Sequence, residues 1–172
     1  MGGRKSGEKG ERTGHFAQRV LLVEDEEAVA ELYRFKLEMD GNQVTVARDG
    51  VDAVEAARDA EFDLVLLDIE MPRLDGLGVL KALRGEAATK ALAVLVLSNA
   101  TKHEALLAQA RELGVLGWMV KSHTTPRKLA DVVRLVAMRR GSNSGVDLSA
   151  MALPSGELLA KGKGSAAKAG RS

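Results

Sequence analysis

Five apolar runs punctuate the chain: VLLV (20–23), QVTVA (43–47), DLVLL (63–67), LAVLVL (92–97) and GVLGWMV (114–120). The first, third and fourth are apolar almost throughout, as strands covered on both faces must be. Helical periodicity fills the intervals. EEAVAELYRFKLEM (26–39) sets Val29, Leu32, Tyr33 and Leu37 near one face. DGVDAVEAARDA (49–60) opens on Asp49, a suitable N-cap. GLGVLKALRG (76–85) precedes the fourth run. TKHEALLAQARELG (101–114) follows it, with Thr101 and Glu104 at capping-box spacing and Gly114 able to end the helix. TPRKLADVVRLVAMRR (125–140) has Thr125 as N-cap and Pro126 at the first helical position. Strand and helix thus alternate five times. Short connections and right-handed crossovers turn that order into an α/β fold, a doubly wound five-stranded parallel sheet.

The pattern stops at both ends. Residues 1–18 are Gly-rich and charged, and residues 141–172 are rich in Gly, Ser, Ala and Lys. Both read as disordered tails around a domain spanning 19–140. One stretch of the second tail, VDLSAMALPSGELL (146–159), is less polar than its surroundings. It reads as a sticky linker or a short docking peptide. The 32 residues after Arg140 cannot build a second core or a helix-turn-helix module, so sequence-specific DNA binding is not expected.

Charge and composition narrow the chemistry. Net charge is +1, yet residues 20–140 hold 16 Lys and Arg against 20 Asp and Glu, so the basic excess sits in the tails. Without cysteine there is no disulfide, thiol catalysis or thiolate metal site. Three scattered histidines make zinc improbable. No run approaches the ~20 apolar residues that span a bilayer, and the N-terminus lacks a signal-peptide core. A cytoplasmic protein is expected.

In a sheet of this kind, ligands bind beyond the carboxyl ends of the strands. There the first strand delivers Glu24 and Asp25, the third Asp68, the fourth Ser98 and Asn99, and the fifth Lys121. Crowded carboxylates call for a hard divalent cation with oxygen ligands, most naturally Mg²⁺. A metal there neutralises phosphoryl oxygens. Phosphoryl transfer needs mainly positioning and electrostatic stabilisation. Asp68 can act as nucleophile, since carboxylates form acyl phosphates. Lys121 and Ser98 can bind the oxygens that the metal leaves free. Singly, each residue reads as a cap, a turn residue or a snorkelling lysine; the joint arrangement carries the reading.

These residues resemble the receiver domain of two-component response regulators, with the flavodoxin-like fold of the chemotaxis response regulator. The likeness covers about Arg19 to Arg140 and rests on VLLVEDE, DLVLLDIEMPRLDGLGVL, LVLSNA and WMVK. It implies that Asp68 accepts a phosphoryl group from a sensor histidine kinase or a phosphotransfer protein. It implies Mg²⁺ held by Asp25, Asp68 and the backbone carbonyl of Glu70, with Glu24 acting through water or at longer range. Ser98 and Lys121 would contact the phosphoryl group, and Ser98 and Trp118 would switch. The domain would catalyse only its own phosphorylation and dephosphorylation. It would signal to a protein target, with dimerisation open to it through the helix 4–strand 5–helix 5 face. Met71 and Pro72 read as loop-shaping residues, and Gly76 as a turn residue needing freedom in φ.

The chain departs from the pattern in places. Glu24 stands for the commoner aspartate, Asn99 for a small residue, and Glu70 adds a charge beside the site. Ser122 replaces the proline that usually follows the lysine, where the bond is typically cis. A cis bond before serine would cost ~2.5–4 kcal/mol, so either packing meets that cost or the loop runs trans. A stand-alone receiver is the first expectation. The alternatives are a pseudo-receiver that binds a partner without phosphorylation, and a Toprim-like nucleic-acid enzyme. The latter accounts for Glu24, Asp68 and Glu70 but not for Ser98, Lys121 or MPRLDG.

Overall fold

The apolar runs become the strands of one sheet, in a computed structural model that describes residues 17–99 and 104–141. They are β1 (Arg19–Val23), β2 (Gln43–Ala47), β3 (Leu64–Asp68), β4 (Val94–Ser98) and β5 (Gly117–Val120). Between and after them run α1 (Glu27–Met39), α2 (Gly50–Asp59), α3 (Gly76–Gly85), α4 (Glu104–Glu112) and α5 (Pro126–Gly141). A 3₁₀ turn, Lys121–His123, joins β5 to α5. All strand pairs are parallel, in the order β2-β1-β3-β4-β5. The doubly wound (βα)₅ sheet expected from the alternation is the one observed.

Period-two alternation splits the core into two layers. Val20 and Leu22 of β1, Leu64 and Leu66 of β3, and Leu95 and Leu97 of β4 face α1 and α5. Leu21, Val23, Val65, Leu67, Val94 and Val96 face α2, α3 and α4. β3 and β4 are buried at every position, which is why their sequences do not alternate. Both run one residue further than their apolar runs, so Asp68 and Ser98 are the last residues of strands. β5 starts later than its run, because Gly114 (φ 73°) turns the chain out of α4 first.

The caps follow the sequence. Asp49 accepts from the N–H groups of Val51 (2.8 Å) and Asp52 (3.0 Å), and Thr125 Oγ1 accepts from Lys128 N–H (3.2 Å). Asp75 caps α3 through Gly78 N–H (2.7 Å), a role the Asp-Gly pair could have signalled. The expected cap at Thr101 lies outside the described residues, as does most of both tails. Gln18 is already buried, and its N–H donates to Asn42 Oδ1.

Two expectations need correction. Leu32 does not share the buried face of α1: Ala30, Tyr33 and Leu37 are buried, whereas Leu32 is 56% exposed. The core row is Val29–Tyr33–Leu37, and Leu32 lies about 100° around the helix from Tyr33. Gly76 is not in the left-handed region; among the described residues only Gly41, Gly114 and Arg73 have positive φ. Its need is space. A Cβ there would overlap the Asp68 carbonyl and sit 2.8 Å from Ile69 Cα, so the bare backbone lets α3 start against the end of β3.

Gly50 has the same constraint where α2 meets α3: a Cβ would come 2.7 Å from Val79 Cγ2 and 2.8 Å from Leu74 Cβ. Gly85 has nothing within 4 Å. Gly50→Ala should therefore lower stability in urea unfolding by ~1–3 kcal/mol. Gly85→Ala should raise it by up to ~1 kcal/mol.

Candidate functional site

Sheet parity brings the charged groups together. Glu24 continues the Val20–Leu22 row of β1, Asp68 the Leu64–Leu66 row of β3, and Lys121 follows Met119 of β5; all these apolar residues belong to the α1/α5 layer. β1 and β3 are neighbours, so Glu24 and Asp68 stand side by side where strand order reverses. Lys121 reaches them across β4.

The Lys121 ammonium lies between the two acids, 2.7 Å from Glu24 Oε2 and 2.8 Å from Asp68 Oδ2. The three side chains are only 7%, 0% and 2% exposed. Among the described residues Glu24 Oε2 has no other partner, while Oε1 accepts from Glu26 N–H at 3.2 Å. Asp68 Oδ1 accepts from Glu70 N–H at 3.0 Å. Asp25 is exposed at the rim, and ligand atoms of Glu24, Asp25 and Asp68 lie within 4.8 Å of one another.

Burial pushes the Glu24 carboxyl above its ordinary range despite the pull of Lys121, and the charge of Asp68 adds to the rise. Burial raises Asp68 likewise, against Lys121 and the Glu70 N–H, with Asp25 adding to the rise. For Lys121, burial alone would favour the neutral amine. Its contacts with Asp68 and Glu24 outweigh that and hold it above its ordinary value. Burial thus works against the charged form of all three groups, and for Lys121 the contacts with its partners outweigh it.

The backbone around Lys121 answers the question raised by Ser122. No cis peptide occurs among the described residues, so the Lys121–Ser122 bond is trans. The chain turns through the 3₁₀ segment, closed by Thr124 N–H to Lys121 O (3.1 Å) and Thr124 Oγ1–H to Val120 O (2.7 Å). Tyr33, whose hydroxyl donates to Thr124 O at 3.2 Å, ties this turn to α1. The sequence offered Tyr33 only as a core residue. Its tether was hidden because the two residues stand 91 positions apart.

On the opposite side, the loop after β3 is anchored to α2. The Arg73 guanidinium pairs with Asp49, the buried cap of α2, and stands 3.9 Å from Asp52. Arg73 holds φ at 66°, a strained value for a residue with a Cβ. Nothing in MPRLDG marks that residue as the strained one. Ser98 is buried at the end of β4, one register step beyond Leu97, the partner of Asp68. Asn99 and the side chain of Glu70 are exposed. Trp118 faces the α2–α4 layer, half-buried, with the Arg111 guanidinium 4.1 Å from its ring centroid. Such a cation–π contact contributes ~0.5–1 kcal/mol.

The donor set suits a hard cation: oxygen atoms only, from two buried carboxylates and one at the rim. Removing the lysine would leave those buried carboxylates without a counter-charge. Lys121→Met should cost ~3–5 kcal/mol of unfolding free energy near neutrality. Both carboxyls titrate above their unfolded values. Their preference for the protonated form therefore favours the folded state at low pH and is lost as pH rises through the folded values. The deficit of Lys121→Met should accordingly shrink in mildly acidic buffer, as urea melts at several pH values would record.

Residues 20–134 match the response regulator receiver domain. The chain is 31% identical over 141 residues to the alkaline phosphatase synthesis transcriptional regulatory protein PhoP of Bacillus subtilis, covering 82% of this chain and 53% of PhoP. It is 33% identical over 133 residues to a protein-glutamate methylesterase/protein-glutamine glutaminase of Geobacter metallireducens, covering 76% of this chain and 36% of that protein. The chain thus spans about half, or less, of the length of these curated relatives. The structure of the chemotaxis response regulator CheY4 of Vibrio cholerae superposes with a TM-score of 0.64 at 29% identity, covering 70% of this chain and 98% of CheY4. The lysine-bridged pocket at the strand ends is thus carried by a chain that belongs to the response regulator receiver domain family.

Proposed function

We propose that this receiver domain takes a phosphoryl group onto Asp68 in a Mg²⁺-dependent reaction and passes the signal on through protein contacts. One observation carries the reading: the Lys121 ammonium is 2.8 Å from Asp68 Oδ2, beside the acid cluster of Glu24, Asp25 and Asp68. An Asp68 oxygen attacks the phosphorus of a phosphohistidine on a sensor kinase or phosphotransfer protein. The P–N bond breaks, the imidazole leaves, and an acyl phosphate remains. The residues that would hold Mg²⁺ are Asp25, Asp68 and the Glu70 carbonyl, with Glu24 at longer range. When bound, the ion supplies positive charge to phosphoryl oxygens.

The chain's own groups do the rest. The Glu70 N–H on Asp68 Oδ1 fixes the carboxylate plane. Lys121 follows the negative charge from the carboxylates to the phosphoryl oxygens. Ser98, at the end of β4, is the hydroxyl that can turn toward the new phosphoryl group. Trp118 would respond on the far side of β5, and Arg111 holds its ring at the α4 surface beforehand. The α4–β5–α5 face is then the output surface. The pseudo-receiver reading is weaker, because no group needed for transfer is missing. No described helix is long and apolar enough to cross a membrane.

Incubation with Mg²⁺ and acetyl phosphate should add the mass of one phosphoryl group, in an adduct stable to acid and labile to base. Asp68→Ala should abolish it, and an adduct surviving in that variant would refute the assignment. The chain has one tryptophan, so its emission reports Trp118 alone. Emission should change on phosphorylation, and Arg111→Ala should bring the unphosphorylated spectrum closer to the phosphorylated one. An unchanged spectrum on full phosphorylation would remove Trp118 from the switch.

A further inference from the structure

α1 is apolar on two opposite faces. One carries Ala30, Tyr33 and Leu37 into the core. The other exposes Leu32 (56%), Phe35 (63%) and Met39 (67%) along one stripe at helical spacing. These are three of the five large apolar side chains found exposed among the described residues. The charges flanking the stripe are paired within α1 and its C-cap: Arg34 with Glu31 (2.5 Å) and Glu38 (3.1 Å), and Lys36 with Asp40 (2.5 Å). An occupant of this stripe is therefore selected by apolar contact.

We infer that the stripe is covered in cis by the apolar segment Val146–Leu153 of this same chain. Three observations point there. First, area: three such side chains expose roughly 300 Å², a patch of the size a monomer carries. A stable dimer needs ~800 Å² from each partner, so the stripe alone fits a short peptide better than a second copy.

Second, place. Hydrogen bonds along one edge of the sheet link the last turn of α5 to the last turn of α1. Arg140 donates to Asp63 O, Asp63 N–H to Arg19 O, Gln18 N–H to Asn42 Oδ1, and Asn42 Nδ2–H to Leu37 O. α5 therefore ends, at Gly141, on the edge where Met39 ends α1. From there Ser142–Gly145 bring Val146 up to ~17 Å from Gly141. That exceeds one helix-to-helix spacing of ~8–10 Å plus a helix radius of about 5 Å.

Third, composition. Val146, Leu148, Met151 and Leu153 stand in a tract whose only charge is Asp147, so docking buries no unpaired cation. The stripe runs ~10 Å along α1, which eight residues cover in either a helical or an extended conformation. α1 also begins two residues after Asp25 and reaches the Lys121 turn through Tyr33.

The chain has no cysteine, so introduced pairs report proximity cleanly. Phe35→Cys with Met151→Cys should form an intramolecular disulfide under mild oxidation. Its rate should be at least tenfold that of Val51→Cys with Met151→Cys, where Val51 is an exposed residue of α2, and independent of protein concentration. Adding Leu32→Asp should remove the advantage. Equal rates for the two pairs would overturn the proposal. A disulfide that forms between molecules, at a rate rising with concentration, would overturn it in favour of a second copy. The expected result does not depend on phosphorylation of Asp68, so this test and that of the acyl phosphate fail independently.

Discussion

One ammonium between two buried carboxylates organises the functional end of this domain. Glu24 and Asp68 are neighbours in a sheet that excludes water from both, and Lys121 between them offsets the repulsion of their charged forms. That requirement reaches far into the fold. β1 and β3 must pair in the register that sets the acids side by side, and β5 must end at a depth that lets its lysine cross β4. The turn after Lys121 must be held, and Thr124 and Tyr33 hold it. The arrangement is also incomplete. One cation serves two buried acids, with a third at the rim, so acidic groups outnumber the one ammonium.

Much of this was legible in the sequence, for identifiable reasons. Strands covered on both faces must be apolar throughout, and the runs end abruptly at a charged residue or, at Ser98, a hydroxyl. Asp68 and Lys121 were therefore visible as charges at strand ends, and parallel topology gave those ends a common edge. The caps at Asp49 and Thr125 were legible because capping is local chemistry. Features that depend on contacts distant in sequence were not. Leu32 was grouped with the core row because spacing alone cannot say where an apolar arc ends. Gly76 was assigned to conformational freedom, whereas the proximity of the Asp68 backbone is what excludes a side chain there. The tether from Tyr33 to Thr124 and the Arg73–Asp49 clamp join segments with no shared pattern.

The loss of proline after Lys121 shows how a constraint can be met by different means. The pocket needs the lysine amine at a fixed depth, and the peptide geometry behind it is free as long as that holds. Here a trans bond and a short 3₁₀ turn deliver the amine to both carboxylates. The two loops flanking the pocket are fastened to different helices, one to α1 through Tyr33 and one to α2 through Arg73. Trp118, under Arg111 on the α4 side, lies on β5, the strand that leads directly into the Lys121 turn.

In the proposed reaction Lys121 exchanges carboxylate for phosphoryl oxygen while Asp68 carries the new group. A crystal structure grown with Mg²⁺ and beryllofluoride, a stable mimic of the acyl phosphate, tests it most directly. Beryllium is expected on an Asp68 oxygen, with Lys121 Nζ moved off Glu24 and in contact with a fluoride. Beryllofluoride on any other residue, or a Lys121 still bridging Glu24 and Asp68 beside a modified Asp68, would contradict it.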